Sequence, residues 1–110
     1  MAEPPYPVKR ANPRFSFFAD GEVTLRDGST VLTQLSELSS RGCYVDIVNP
    51  LPEGAELRMT IRYGCSACTF KGTVIYTHPG FGMGVRFGET TAADRATLDV
   101  WLDELARKSS

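Results

Sequence analysis

The 110-residue chain has little of what builds stapled, metal-bound or catalytic small proteins. It holds three cysteines, an odd number, which argues against a secreted disulfide framework. Cys65 and Cys68 form C-S-A-C, but a structural zinc site takes four Cys or His ligands. Only Cys43 and His78 remain to complete such a set, and nothing in the sequence brings them near. A redox reading of the pair wants a βαβ context, which is missing. No nucleophile–base pair or paired-carboxylate motif stands out, so the expectation is a protein that is not an enzyme and holds no metal or cofactor. The net charge of −1 gives no global field to gather a nucleic acid polymer or a membrane surface. Apolar runs of signal-peptide or transmembrane length are lacking too, which makes membrane insertion unexpected and a cytoplasmic location the default.

What is present is strand-forming sequence. With 42% apolar and 23% charged residues, the composition is that of one soluble domain with a modest core. Residues 1–8 (MAEPPYPV), rich in proline and without periodicity, read as a flexible tail, and residues 9–108 as a single domain. Phe15 to Leu25 carries aromatic and β-branched residues. Asp27-Gly28 signals a tight hairpin, and Thr30 to Leu35 returns as its partner. Cys43, Val45 and Ile47 alternate with Tyr44 and Asp46. The cleanest period-two stretch sets Leu57, Met59, Ile61 and Tyr63 against Glu56, Arg58, Thr60 and Arg62. Gly64 to Ala67 reads as a turn, Thr69 to Tyr76 as a strand, and His78-Pro79-Gly80 as another turn. Gly82 to Phe87 forms the last strand, with its glycines allowing close packing by a helix. Thr91 and Asp94 mark a helix start, and Leu98, Trp101, Leu102 and Leu105 form one apolar helical stripe that packs on the strands as core. Short strands at this spacing suggest a small sandwich or barrel.

Two motifs carry chemistry. R-A-N-P-R places Arg10 and Arg14 four residues apart, beside Lys9, just ahead of the first strand. Two guanidinium forks suit phosphate oxygens or the O6/N7 edge of guanine. E-L-S-S-R-G supplies the Glu37 carboxylate, the Ser39 hydroxyl and Gly42, where a ligand can approach the backbone. Together they point to a module that binds an anionic, guanine-bearing ligand. The plainer alternatives are a solvated basic tail for the arginines and a simple turn for Ser39 and Gly42.

In these residues the chain resembles the PilZ domain family from about residue 9 to residue 105. R-A-N-P-R matches the family's RxxxR, and E-L-S-S-R-G matches its [D/N]xSxxG at Ser39 and Gly42 but not at Glu37. F-G-M-G-V-R-F, residues 81–87, looks like the family's closing strand. The resemblance implies a six-stranded antiparallel β-barrel with a C-terminal helix that binds cyclic di-GMP without reacting with it. It implies a ligand set of Arg10, Arg14, Glu37, Ser39 and Gly42, joined by Lys9 through its charge. It also implies an N-terminal arm that orders over the ligand and a downstream protein partner. The alternative is a degenerate PilZ-like protein-interaction module. There Glu37, one methylene longer than Asp, would have ended nucleotide binding.

Overall fold

In the computed structural model, which describes residues 14–109, six antiparallel strands close into a barrel and a single helix follows them. The strands are β1 (Phe15–Thr24), β2 (Thr30–Leu38), β3 (Gly42–Asp46), β4 (Glu56–Tyr63), β5 (Ser66–His78) and β6 (Gly82–Phe87); the helix is α1 (Ala92–Ser109). Around the wall the order is β1-β2-β3-β6-β5-β4, and pairing of β1 with β4 closes the ring. The six-stranded barrel with a C-terminal helix is therefore the architecture that forms. Lys9, Arg10 and the proline-rich tail lie outside the described residues.

Period-two sequence becomes a filled interior. Leu57, Met59 and Ile61 of β4 point inward, while Glu56, Arg58 and Arg62 stay exposed. Val23, Leu35, Val45, Phe70, Val74, Met83 and Val85 complete this lining, and each is at most 2% exposed. Burying side chains of this size stabilises by about 1.5–3 kcal/mol apiece. The turn at Asp27-Gly28 forms as its sequence requires, with Gly28 at a φ of +92°. The Asp27 carboxylate accepts the Ser29 hydroxyl at 2.6 Å and the Ser29 N–H at 2.9 Å. The hydroxyl bond, then the amide bond, hold the Asp27 carboxyl below its ordinary pKa.

Among the boundaries that differ from the sequence reading, two change the placement of named candidates. β2 runs on to Leu38, so Glu37 lies within a strand. The turn expected over residues 64–67 is only Gly64-Cys65, with Tyr63 directly opposite Ser66. Gly64, at a φ of +63°, lets two residues reverse the chain. C-S-A-C is thereby divided between a turn and a strand. Cys65 is exposed and Cys68 buried. Burial, then the charge of Asp94, pushes the Cys68 thiol up to about 12. Cys43 is buried as well, its Sγ 3.5 Å from the Met59 Sδ, and burial raises its pKa further. Among the described residues no cluster of three or more His, Cys, Asp or Glu could hold a metal ion, and no helix is long and apolar enough to cross a membrane.

α1 starts where the sequence marks it. The Thr91 Oγ1 accepts the Asp94 N–H at 3.1 Å, satisfying one of the free amides of the first turn. Leu98 and Trp101 are buried, and Leu102 and Leu105 partly so. The Trp101 ring lies 5.6 Å from Phe17 of β1 and 5.7 Å from Tyr63 of β4. The helix thus extends the core across the flank formed by β5, β1 and β4, and leaves the opposite flank open.

Candidate functional site

The site occupies the outer face of the open flank and the corner between β2 and β3. That corner is the tight turn of residues 39–42. The Ser39 N–H donates to the Gly42 carbonyl at 2.9 Å. The Ser39 Oγ accepts the N–H groups of Gly42 at 3.2 Å and Arg41 at 3.3 Å, and its hydroxyl lies 3.2 Å from the Gly42 carbonyl. The hydroxyl is thus already committed to shaping the turn. Gly42 is dictated by close approach, because a Cβ there would overlap the Val85 carbonyl oxygen of β6. Two further bonds brace the corner from outside. The Phe87 N–H donates to the Arg41 carbonyl at 2.7 Å, and Arg95 of α1 donates to the Ser40 carbonyl at 2.9 Å. The helix that closes one flank therefore also steadies the loop of the other.

Arg14 stands at the threshold of β1. Its Nη1 lies 3.8 Å from the Glu37 Oε1, and both side chains are nearly half exposed. An ion pair this exposed is worth about 0.2–1 kcal/mol, so an anionic ligand can displace the carboxylate cheaply. Arg14, Glu37, Ser39 and Gly42 line one open depression of about 370 Å³, within the range of small-molecule sites. Four sequence-derived candidates thus meet in one place. Lys9 and Arg10, the other two, fall outside the described residues.

The same depression is lined by Arg41, Tyr44, Tyr76 and Arg86, which sequence reasoning did not single out. Register explains how they arrive. Ser16, Glu37, Tyr44, Gly84 and Tyr76 are successive cross-strand partners on β1, β2, β3, β6 and β5. A strictly regular β2 would turn Glu37 inward with Leu35. An irregularity between Leu35 and Glu37 places an extra residue there, so Glu37 faces out opposite Tyr44 while Leu38 returns to the core. β5 does the same between Val74 and Tyr76, turning Tyr76 outward onto Gly84. The readable signal for the first of these was the spacing of Leu35 and Leu38, odd for a strand that should alternate.

The glycines of β6 correct one expectation. They do not make room for the helix. A Cβ on Gly84 would overlap the Tyr76 ring, and one on Gly82 would lie 2.6 Å from the Tyr44 Cε2. Both tyrosine rings therefore lie across bare backbone. They sit 6.2 Å apart, and the Tyr44 hydroxyl is 3.0 Å from the His78 Nδ1. His78 ends β5 beside the turn rather than within it. Desolvation, followed by Tyr76, Asp46 and Glu37, raises the Tyr44 phenol above its usual pKa, so it stays neutral and able to donate.

Comparison with known proteins agrees with this fold. The fold matches the PilZ domain of YcgR with c-di-GMP from Escherichia coli at a TM-score of 0.73 and 19% identity, over 92% of this chain and 94% of that one. It matches YcgR in complex with c-di-GMP from the same organism at 0.77 and 20%, over 93% and 48%. The Bacillus subtilis inhibitor of motility MotI gives 0.72 and 20%, over 92% and 51%. The chain thus spans about half the length of the latter two. None of the curated proteins matches it. The PilZ domain model matches residues 8–104, nearly the whole barrel and helix, and the chain belongs to the PilZ domain family.

Proposed function

We propose that this domain is a receptor for cyclic di-GMP, binding it on the open flank between β1, β2 and β3 without chemical change. The observation that carries the reading is the meeting of Arg14, Glu37, Ser39 and Gly42 around one depression of about 370 Å³. Arg14 grips phosphate or the Hoogsteen edge of guanine, and a guanidinium does either with two parallel hydrogen bonds. Glu37 accepts from guanine N–H donors once Arg14 has turned from it to the ligand. Gly42 keeps the corner low, so that the ligand meets backbone there. Arg10 and Lys9 join from the segment ahead of Arg14, and ordering of that arm over the ligand conveys occupancy to a protein partner in the cytoplasm. The YcgR structures that contain c-di-GMP support this choice of ligand.

A second reading is favoured by one contact. The longer Glu37 side chain reaches Arg14, so the pair can be an end in itself and the domain a protein-interaction module that takes no nucleotide. Calorimetric titration with cyclic di-GMP, GTP and linear pGpG separates the two. Saturable binding of cyclic di-GMP at micromolar concentration or below, with weaker binding of the others, supports the receptor. No heat with any of the three supports the interaction module.

A further inference from the structure

We propose that Tyr44 and Tyr76 form a stacking shelf for a purine of the ligand, with Arg86 and Arg41 as the cations for the phosphate beside it. The inference rests on the cyclic di-GMP reading and extends the site beyond the residues of the two motifs.

Three observations support it. First, the two rings are laid flat by construction. A Cβ at 84 would meet the Tyr76 ring, and one at 82 would meet the Tyr44 ring as well as the Val45 carbonyl, so the bare backbone of β6 leaves room for both aromatic rings against the wall. Tyr44, Tyr76 and His78 form one cluster, with centroids 5.3–6.2 Å apart. Second, the shelf continues the row that contains Glu37. Glu37 is the cross-strand partner of Tyr44, and Gly84 is the partner of both tyrosines. Irregularities in β2 and β5 turn Glu37 and Tyr76 to this face, and such devices commonly re-aim side chains beside binding sites. Third, cations lie alongside. Arg86 is two residues beyond Gly84 on the same face of β6, opposite Gly42, and Arg41 sits in the turn itself. Both are exposed, line the same depression, and make no ion pair with a carboxylate among the described residues.

The chemistry follows from this arrangement. A base laid on a tyrosine face keeps its edge free, so the Glu37 carboxylate at the end of the row can accept from it. Stacking tolerates any base; the carboxylate supplies the preference for guanine. Arg86 and Arg41 offer fixed positive charge to the adjoining phosphate, while Arg14 serves the other half of the molecule.

The test is titration of cyclic di-GMP into the wild-type protein, Tyr76→Leu, Tyr76→Phe and Arg86→Gln, with NMR of the Tyr76 ring protons in the wild type. Leu is expected to weaken binding about tenfold, and Phe to restore it nearly fully, since the face and not the hydroxyl is used. Arg86→Gln is expected to weaken binding by a similar factor and to flatten its salt dependence. The Tyr76 ring resonances are expected to shift upfield as ligand is added. If the wild type binds but Arg86→Gln binds equally well and the Tyr76 resonances stay in place, the shelf is wrong while the receptor reading survives. If the wild type takes up no cyclic di-GMP, both fall together. Should Tyr76→Leu fail to fold, Arg86→Gln and the ring resonances still decide.

Discussion

The two flanks of the barrel are built from the same alternating strands and end in opposite states. On the β1–β4–β5 flank, the inward-facing Phe17 and Tyr63 meet Leu98 and Trp101 under α1, and their rings join the core. On the β2–β3–β6 flank the ring of Tyr44, and that of Tyr76 reaching over Gly84 from the far end of β5, stay at the surface, half-buried, beside Arg14, Arg41 and Arg86. The difference lies in what covers the rings. One set faces a helix; the other lies over glycine backbone, with its second face left for something else. One flank of this small barrel is sealed into the core, the other carries the proposed site, and the Arg95 bond to the Ser40 carbonyl ties the two together.

Substitutions on the two flanks should separate cleanly. Trp101→Ala is expected to have the largest effect on stability, about 3–5 kcal/mol, as judged by urea or thermal unfolding, because it removes a large buried ring packed against both Phe17 and Tyr63. The folded fraction should still bind ligand with unchanged affinity. Arg14→Ala should do the reverse. Affinity for cyclic di-GMP should fall about 30-fold, corresponding to about 2 kcal/mol for a truncated arginine anchor, with the melting temperature nearly unmoved. A Trp101 variant that bound poorly when folded, or an Arg14 variant that melted early, would break the division between flanks.

Smaller effects sharpen it. Glu37→Asp should tighten cyclic di-GMP binding several-fold, because the shorter carboxylate releases Arg14 and restores the family's usual reach. A loss of binding would show instead that the site is tuned to Glu. The Arg14–Glu37 pair itself should contribute less than about 1 kcal/mol to stability in a double-mutant cycle, since both ends are exposed. Finally, alkylation of the native protein at neutral pH should label Cys65 alone. Cys68 and Cys43 are buried and their raised pKa values keep them as thiols. The same shifts set a sign for alkaline stability. A thiol whose pKa is raised in the fold stabilises it fully below the ordinary thiol pKa of about 8.5. Stability should then decline as pH rises from there toward about 12, the value for Cys68.

Much of this molecule was legible in its sequence. The strict alternation of Glu56–Tyr63 is β4 as read, and Asp27-Gly28 and the Leu98–Leu105 stripe formed the expected turn and helix. Arg14, Ser39 and Gly42 were visible because motif spacing survives without any knowledge of register. The Tyr44–Tyr76 row was not. It depends on one extra residue in β2 and another in β5, and a period-two reading assigns the wrong face to everything on one side of such an insertion. The glycines at 82 and 84 were misassigned for a related reason. Close packing can be inferred from a glycine, but the partner that fills the space comes from a neighbouring strand. Gly64-Cys65 was read as too long a turn because Cys and Ala carry no strong turn or strand preference.

The most direct measurement is a calorimetric titration of the purified, nucleotide-free wild-type protein with cyclic di-GMP, with Arg14→Ala alongside. Saturable wild-type binding at micromolar concentration or tighter, weakened about 30-fold in Arg14→Ala, is the expected result. A folded wild-type protein that gives no heat, or equal binding by both proteins, would contradict the placement of a cyclic di-GMP site on the open flank.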